Sequence, residues 1–269
     1  IKSKYKSNQI FKRRYQKMKN KSLLGIKRGS AKLPLNIAIG PNLISGHSCP
    51  YAHECKTKVI QKDGKRQLKT FDSTKFICYS ALSELQYKNT FDSRWANYRL
   101  IMKAMKAKNG SLEKLLLDSF NANRSSKTEY WRYHESGDIF HIEYLTAINN
   151  VAEYLLSENI ITYLYTKSLP LFEGFKVSKG LRVTASLGGL YDEYASLFDK
   201  KCRVIYMPDD ANGQPIDHND WHAYSNFKGT FCHLVHGNQK GEARKAIQQR
   251  KKAGLFVGYS KKTKKLQEV

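Results

Sequence analysis

The sequence predicts an α/β fold, a partial (β/α)6 barrel with basic extensions at both ends, and three observations predict it. Short apolar runs alternate with longer helical patterns from Leu33 onward, 41% of the 269 residues are hydrophobic, with 17 Tyr and 12 Phe among the aromatics, and small or polar residues follow each apolar run. Alternation of the two periods argues for strands joined by helices, and that hydrophobic content can bury a sizeable core. No apolar run reaches the roughly 18–20 residues of a membrane span. No apolar stretch follows the basic amino terminus, so neither a membrane partner nor a secretory leader is expected.

In chain order, strands are expected at 35–39, 130–133, 161–165, 181–184, 203–207 and 231–235, each a short run rich in Val, Ile, Leu, Tyr or Phe. Helices are expected at 82–106, 111–120, 142–156 and 190–198, and within 142–156 apolar residues recur near i, i+3 and i+7. The organisation expected is a basic extension over 1–32, an α/β domain over 33–243 and a basic tail over 244–269.

Charge is uneven. Lys and Arg number 47 against 23 Asp and Glu, a formal balance of +24, and no acidic residue precedes Glu54. Cations that neutralise phosphates release condensed counterions, so nucleic acid, DNA or RNA, is the expected partner. Lys12, Arg13, Arg14 and Lys17 at one end and Arg250, Lys251 and Lys252 at the other are the expected contacts, with Tyr5, Phe11 and Tyr15 available for stacking on bases.

Polar groups gather where the strands end. His134-Glu135-Ser136-Gly137-Asp138 follows the second strand, Thr166-Lys167-Ser168 the third, Ala185-Ser186 the fourth and His236-Gly237-Asn238-Gln239 the sixth. Loops at the carboxyl ends of parallel strands are where α/β folds build their sites. His233 and His236, three positions apart on one expected strand, should face opposite sides and not share a site.

Five cysteines suit a reduced compartment better than a disulfide framework. Cys202 and Cys232 sit in apolar strands and read as buried small hydrophobes. Cys49, Cys55 and Cys78 stand apart, in and beyond the loop after the first strand. Thiolates hold zinc or iron-sulfur clusters alike, and His47 or His53 could complete a zinc site. Three thiolates on a four-iron cluster leave one iron to chelate a small molecule, as in cleavage of S-adenosylmethionine. A cluster loop after the first strand of a six-unit barrel, with Tyr79 beside the last cysteine, is the radical-SAM layout. The usual spacing of that family, three and then two intervening residues, is absent here. Ser136-Gly137-Asp138 parallels the turn that holds the cofactor's amino group in such enzymes.

Cys49-Pro50-Tyr51-Ala52-x-x-Cys55, Phe76-x-Cys78-Tyr79-Ser80-Ala81 and Arg94-x-x-Asn97 resemble the phage gene product eighty-eight type family. So do Arg132-x-His134-x-Ser136-Gly137-Asp138, Tyr165-Thr166-Lys167-Ser168, Asp217-His218-Asn219-Asp220-x-His222 and His236-Gly237-x-Gln239. The resemblance implies a phage origin, a radical-SAM-like barrel and work in the cytoplasm of an infected bacterial host; it carries no settled activity. The leading expectation is an iron-sulfur protein acting on nucleotide or nucleic acid. Cys49, Cys55 and Cys78 would hold a 4Fe-4S cluster, and Ser136, Gly137, Asp138, Thr166, Lys167 and Ser186 would hold S-adenosylmethionine. His134, Asp217, His218, Asp220, His222 and His236 would be the acid-base groups, since imidazole titrates near neutrality and carboxylate orients it. The alternatives are a zinc-stapled nucleic-acid-binding protein and a metal-dependent nuclease built on Asp217 to His222.

Overall fold

A computed structural model describes residues 23–259. Seven strands form one sheet in the order β1 (Lys27–Arg28), β2 (Ile37–Ile39), β5 (Tyr130–Tyr133), β6 (Ile161–Thr166), β7 (Leu181–Ser186), β8 (Lys200–Ile205) and β9 (Gly229–Leu234). The six from β2 onward are parallel, while β1 is antiparallel and pairs Lys27 with Ile39. These six match the six expected strands. The sheet is open, with β1 and β9 at its edges, and among the described residues no pairing closes it into a barrel.

The alternation of side chains along these strands builds two layers. Trp131, Tyr133, Leu164 and Ala185 face outward onto helices α3 (Ser111–Asn123) and α4 (Ile142–Leu156), where Phe120 stacks on Trp131 at 4.4 Å. In α4 a single stripe of Tyr144, Leu145, Ile148, Val151, Ala152 and Leu155 is buried, which is why this helix lies where its periodicity predicts. Ile37, Ile39, Tyr163, Cys202 and Phe231 face inward. Over their amino-terminal half sits the short helix α5 (Trp221–Tyr224), whose Ala223 and Ser225 carbonyls accept from Lys200 Nζ at 2.7 and 2.9 Å. The amino end of the inner face is thereby covered, and the carboxyl end is left open.

Elsewhere the structure departs from the expected elements. The helix expected over 82–106 is two, α1 (Tyr79–Gln86) and α2 (Lys88–Ala107), because Tyr87 is extended (φ −112°, ψ 111°). That bend lets Glu84 of α1 meet Arg94 of α2 at 2.8 Å. The segment 190–198 holds a 3-10 helix, Asp192–Leu197, tightened by Asp192 accepting from Gly188 and Gly189 N–H at 2.7 and 2.9 Å. β8 begins at Lys200 rather than 203. A hairpin, β3 (Thr57–Lys62) with β4 (Lys65–Thr70), occupies what reads in the sequence as a Lys-rich insert. Ordered structure also crosses both expected boundaries. Leu24 and Ile26 are buried in the main core, and α6 (Gly241–Lys252) runs through position 243 with Ala243, Ala246 and Arg250 buried. No helix among the described residues is long and apolar enough to cross a membrane.

Candidate functional site

A cavity of about 940 Å³ opens at the carboxyl ends of the parallel strands. Cys49, Cys55 and Cys78 line it, with His134, Ser136, Gly137 and Asp138 after β5, Thr166 and Lys167 at β6, and Ser186 at β7. His236 lines it as well. Eleven of the residues expected to form the site, three metal ligands, six cofactor-binding residues and two acid-base groups, are thus brought together from six separate segments.

The cysteine loop is fastened by backbone pairing. Leu43 N–H donates to Ser136 carbonyl at 2.8 Å, Asp138 N–H to Ser48 carbonyl at 3.1 Å, Glu54 N–H to Gly188 carbonyl at 3.0 Å and Leu190 N–H to Tyr51 carbonyl at 2.9 Å. Gly137 makes the close approach possible. Its φ is +89°, and a Cβ there would stand 2.5 Å from Leu43 Cβ and 2.6 Å from Ser48 Oγ. The Ser136-Gly137 turn therefore holds the cysteine loop, whatever else the cavity binds.

Buried polar side chains fix the rest of the rim. Glu84 Oε1 accepts from Ser45 N–H, Ser45 Oγ and Arg94 Nη1 at 2.8–2.9 Å. Asn97 accepts from Gly25 N–H and donates to Asn42 carbonyl, each at 2.9 Å. Gln239 pairs with both backbone groups of Ile77, accepting from its N–H at 2.8 Å and donating to its carbonyl at 2.9 Å, and so anchors the segment that presents Cys78. The sequence motifs around Arg94, Asn97 and Gln239 are explained by these clamps.

On the cavity wall, Asp138 accepts from Thr166 Oγ1 at 2.6 Å, Lys167 N–H at 2.8 Å and Ile139 N–H at 2.7 Å. Burial outweighs these bonds and pushes its carboxyl up to about 6. Lys167 Nζ donates to Ser186 Oγ at 3.2 Å, Ser186 carbonyl at 3.1 Å and Leu187 carbonyl. The wall thus offers one carboxyl and one ammonium side by side.

Burial raises all three thiols. Cys49 stands well above its ordinary value, with Asp138 and Cys78 adding to burial; Cys55 is pushed up to about 11, burial outweighing the nearby Lys167, and Cys78 is raised too. All three cysteines are free. Their side chains do not converge on one point, and among the described residues no group of three or more His, Cys, Asp or Glu gathers as a single metal-ion site.

Further residues, not expected to belong to the site, line the cavity: Arg132, Tyr165, Cys202 and His233. The expectation that His233 and His236 occupy opposite faces is corrected here. β9 ends at Leu234, so strand alternation no longer governs His236, and both residues line the cavity. His236 stacks against Tyr79, ring centroids 5.2 Å apart. Burial, with Lys32 adding, lowers His236 to about 4 and His233 to about 3. His134 is also held to about 3, by burial and then Arg132; its Nε2 meets Tyr144 Oη at 2.9 Å, and its buried Nδ1 has no partner. Cys202 is buried, as expected, and also forms part of the wall. The signal for these four was strand period two, once the inward phase is known.

The segment from Asp217 to His222 does not line the cavity; it plugs the opposite end of the inner face. Asp217 accepts from Asn219, Asp220 and His222 N–H and meets His222 Nδ1, all between 2.7 and 2.9 Å, which makes it the cap of α5. His222 stacks on Phe231 at 5.2 Å and His218 lies against Phe256 at 4.7 Å. Asp220, fully buried, forms ion pairs with Arg132 at 2.6 Å and with Lys32. Burial would raise its carboxyl, yet Arg132 and then Lys32 hold it well below the ordinary range. Within this segment Asp217 holds the start of the short helix and Asp220 neutralises buried cations, while the buried Nδ1 of His218 has no partner.

Of the expected nucleic-acid contacts, Lys12, Arg13, Arg14 and Lys17 lie outside the described residues. Lys251 and Lys252 are exposed. Arg250 is not: its guanidinium is buried and donates to the carbonyls of Phe256 at 3.1 Å and of Val235, anchoring α6 to the end of β9. The amphipathic phase of α6 turns Arg250 inward, along with Ala243 and Ala246.

A family model described as Gene product 88 matches residues 7–256 of the chain. No curated protein and no solved structure matches it.

Proposed function

Because the chain belongs to the Gene product 88 family of phage proteins, we propose that it is an iron-sulfur protein of radical-SAM-like layout that acts on nucleotide or nucleic acid. The observation that carries this reading is the shared cavity: Cys49, Cys55 and Cys78 line one space at the carboxyl ends of six parallel strands. The donor set fits a cluster. Three thiols lining one cavity are the ligand type of such a cluster. A thiolate-bound cluster is anionic overall, and Lys167 on the wall supplies compensating charge. When bound, such a cluster supplies one-electron chemistry to a small molecule on its open iron. Asp138 is the group that an ammonium in the cavity would meet, and Lys167 the group for a carboxylate.

Anaerobic reconstitution followed by iron, sulfide and zinc analysis with a visible spectrum tests the reading. About four irons and four sulfides per chain are expected. The brown absorption should vanish on replacing Cys49, Cys55 or Cys78 by Ser and survive Cys232→Ser. Stoichiometric zinc, or a spectrum indifferent to the three replacements, would sink it. Cleavage of S-adenosylmethionine is the next assay.

A further inference from the structure

The β3–β4 hairpin stands outside the main sheet, between the second and third cysteines of the cavity. Its register pairs Val59 with Leu68, Lys58 with Lys69, and Lys62 with Lys65. Directly opposed residues share a face, and alternate pairs take opposite faces. Val59 and Leu68 accordingly pack against Ile44, Ala81 and Phe91, and the two lysine rungs lie on the other side, Lys62, Lys65 and Lys69 exposed and Lys58 half-buried. Like charges placed opposite one another destabilise a ribbon, and a two-stranded ribbon has little stability to spare. Among the described residues none of these four lysines makes an ion pair. The hairpin's single carboxylate, Asp63, is in the turn at its tip with Gly64, both at positive φ. Lys69 lies over the Phe71 ring at 5.6 Å, and among the described residues no carboxylate pairs with either rung.

The ribbon is also tied firmly to the cavity. Arg66 donates to the carbonyls of Glu84 at 3.0 Å and Leu85 at 3.1 Å, at the carboxyl end of α1, the helix that starts just after Cys78. Thr57 Oγ1 accepts from Cys78 N–H at 3.3 Å. Four steps along the strand lead from Lys58 to Lys62, a rise of about 13 Å between rungs. A B-form major groove is roughly 12 Å wide and admits a two-stranded ribbon.

From this geometry, and resting on the reading that the substrate is nucleic acid, we propose that the lysine face of the β3–β4 hairpin docks a DNA duplex, one rung to each phosphate row bordering the major groove, and so holds the DNA at a fixed place beside the cysteine cavity. The partner is chosen by charge and spacing: between the rungs this face carries Ile60 as its one apolar side chain, too little to insert into a lipid surface.

The test is the salt dependence of binding to a fluorescent DNA duplex, measured by anisotropy on the full-length protein. A variant with Lys58, Lys62, Lys65 and Lys69 all changed to Gln is compared with one of equal charge loss on the outer helices and loops, with Lys103, Lys106, Lys127 and Lys176 changed to Gln. All eight side chains avoid the buried core, and circular dichroism checks that both variants are folded. Each phosphate contact contributes about 0.9 to the slope of log affinity against log salt, so the hairpin variant should lose about 3 to 4 and the control less than about 1. Equal losses in the two variants would mean diffuse charge and overturn the proposal. A hairpin effect seen on phosphatidylserine vesicles or on duplex RNA, with duplex DNA unaffected, would overturn it too. Iron content of the same preparations separates the two readings: a hairpin-specific loss in protein that takes up no iron upholds the docking surface and rejects the cluster.

Discussion

Asp220→Asn removes the negative centre of a buried charge trio and leaves Arg132 without a counter-charge. Asp220 is wholly buried, its Oδ2 lies 2.6 Å from Arg132 Nη1, and Lys32 holds the other oxygen. Asn restores the shape and one hydrogen bond but not the charge, so the guanidinium beneath β6 stays desolvated and unpaired. Breaking a buried pair in this way costs about 3–5 kcal/mol, a large part of the roughly 5–15 kcal/mol that holds a domain together. With a urea slope of about 3 kcal/mol per M, the midpoint should fall by about 1 to 2 M with the slope unchanged, and the melting temperature by about 6–20 °C. Asp220 is held well below the ordinary carboxyl range, so its stabilising contribution is complete above the unfolded value near ~4 and is lost only as pH falls toward its folded value. The gap between wild type and variant should therefore be constant from about pH 5 to pH 8. Adding Arg132→Met to Asp220→Asn removes the stranded cation and should recover at least half of the loss. A midpoint within about 0.3 M of wild type for Asp220→Asn alone would refute the structural role and return Asp220 to the acid-base groups.

Gly137→Ala places a Cβ against Leu43 and Ser48 at positive φ; it should cost about 2–4 kcal/mol and lower iron uptake even though all three cysteines remain, as read by denaturation and iron analysis. Gln239→Ala strands the N–H and carbonyl of buried Ile77, for a loss of about 1–3 kcal/mol, and proteolysis near Cys78 should accelerate. His134, His233 and His236 have folded values of about 3, 3 and 4, below the unfolded ~6.5, so the unfolded chain binds more protons in that interval. Stability should be flat above about pH 7 and fall as pH drops from about 6.5 toward 4. His233→Gln should flatten that fall, and an unchanged slope would show that His233 is not the neutral buried group described.

Much of the fold was legible because local pattern and tertiary demand agree there. The six parallel strands are short apolar runs whose buried positions carry their own signal, and α4 writes its packing stripe at helical spacing. The hairpin was not legible: its solvent face is lysine, so the strand period is visible only at Val59 and Leu68. The break at Tyr87 was hidden as well, since two amphipathic helices meeting at an angle read as one.

The candidate site divides along the same line. Its residue types, and their place at strand ends, are properties of the sequence, because a parallel α/β chain returns every strand's carboxyl end to one rim. Which of those residues face the rim is a tertiary matter. Asp217, Asp220 and His222 have the composition of a catalytic cluster, but α5 folds them under the sheet, where one carboxylate caps a helix and the other neutralises Arg132 and Lys32. His233 looks like a core residue, but the open carboxyl end of the sheet leaves it on the cavity wall. Chemistry depends on what a side chain faces, and Arg132 and Asp220 lie 88 positions apart in the chain, brought to 2.6 Å only by the packing of α5 beneath the strands.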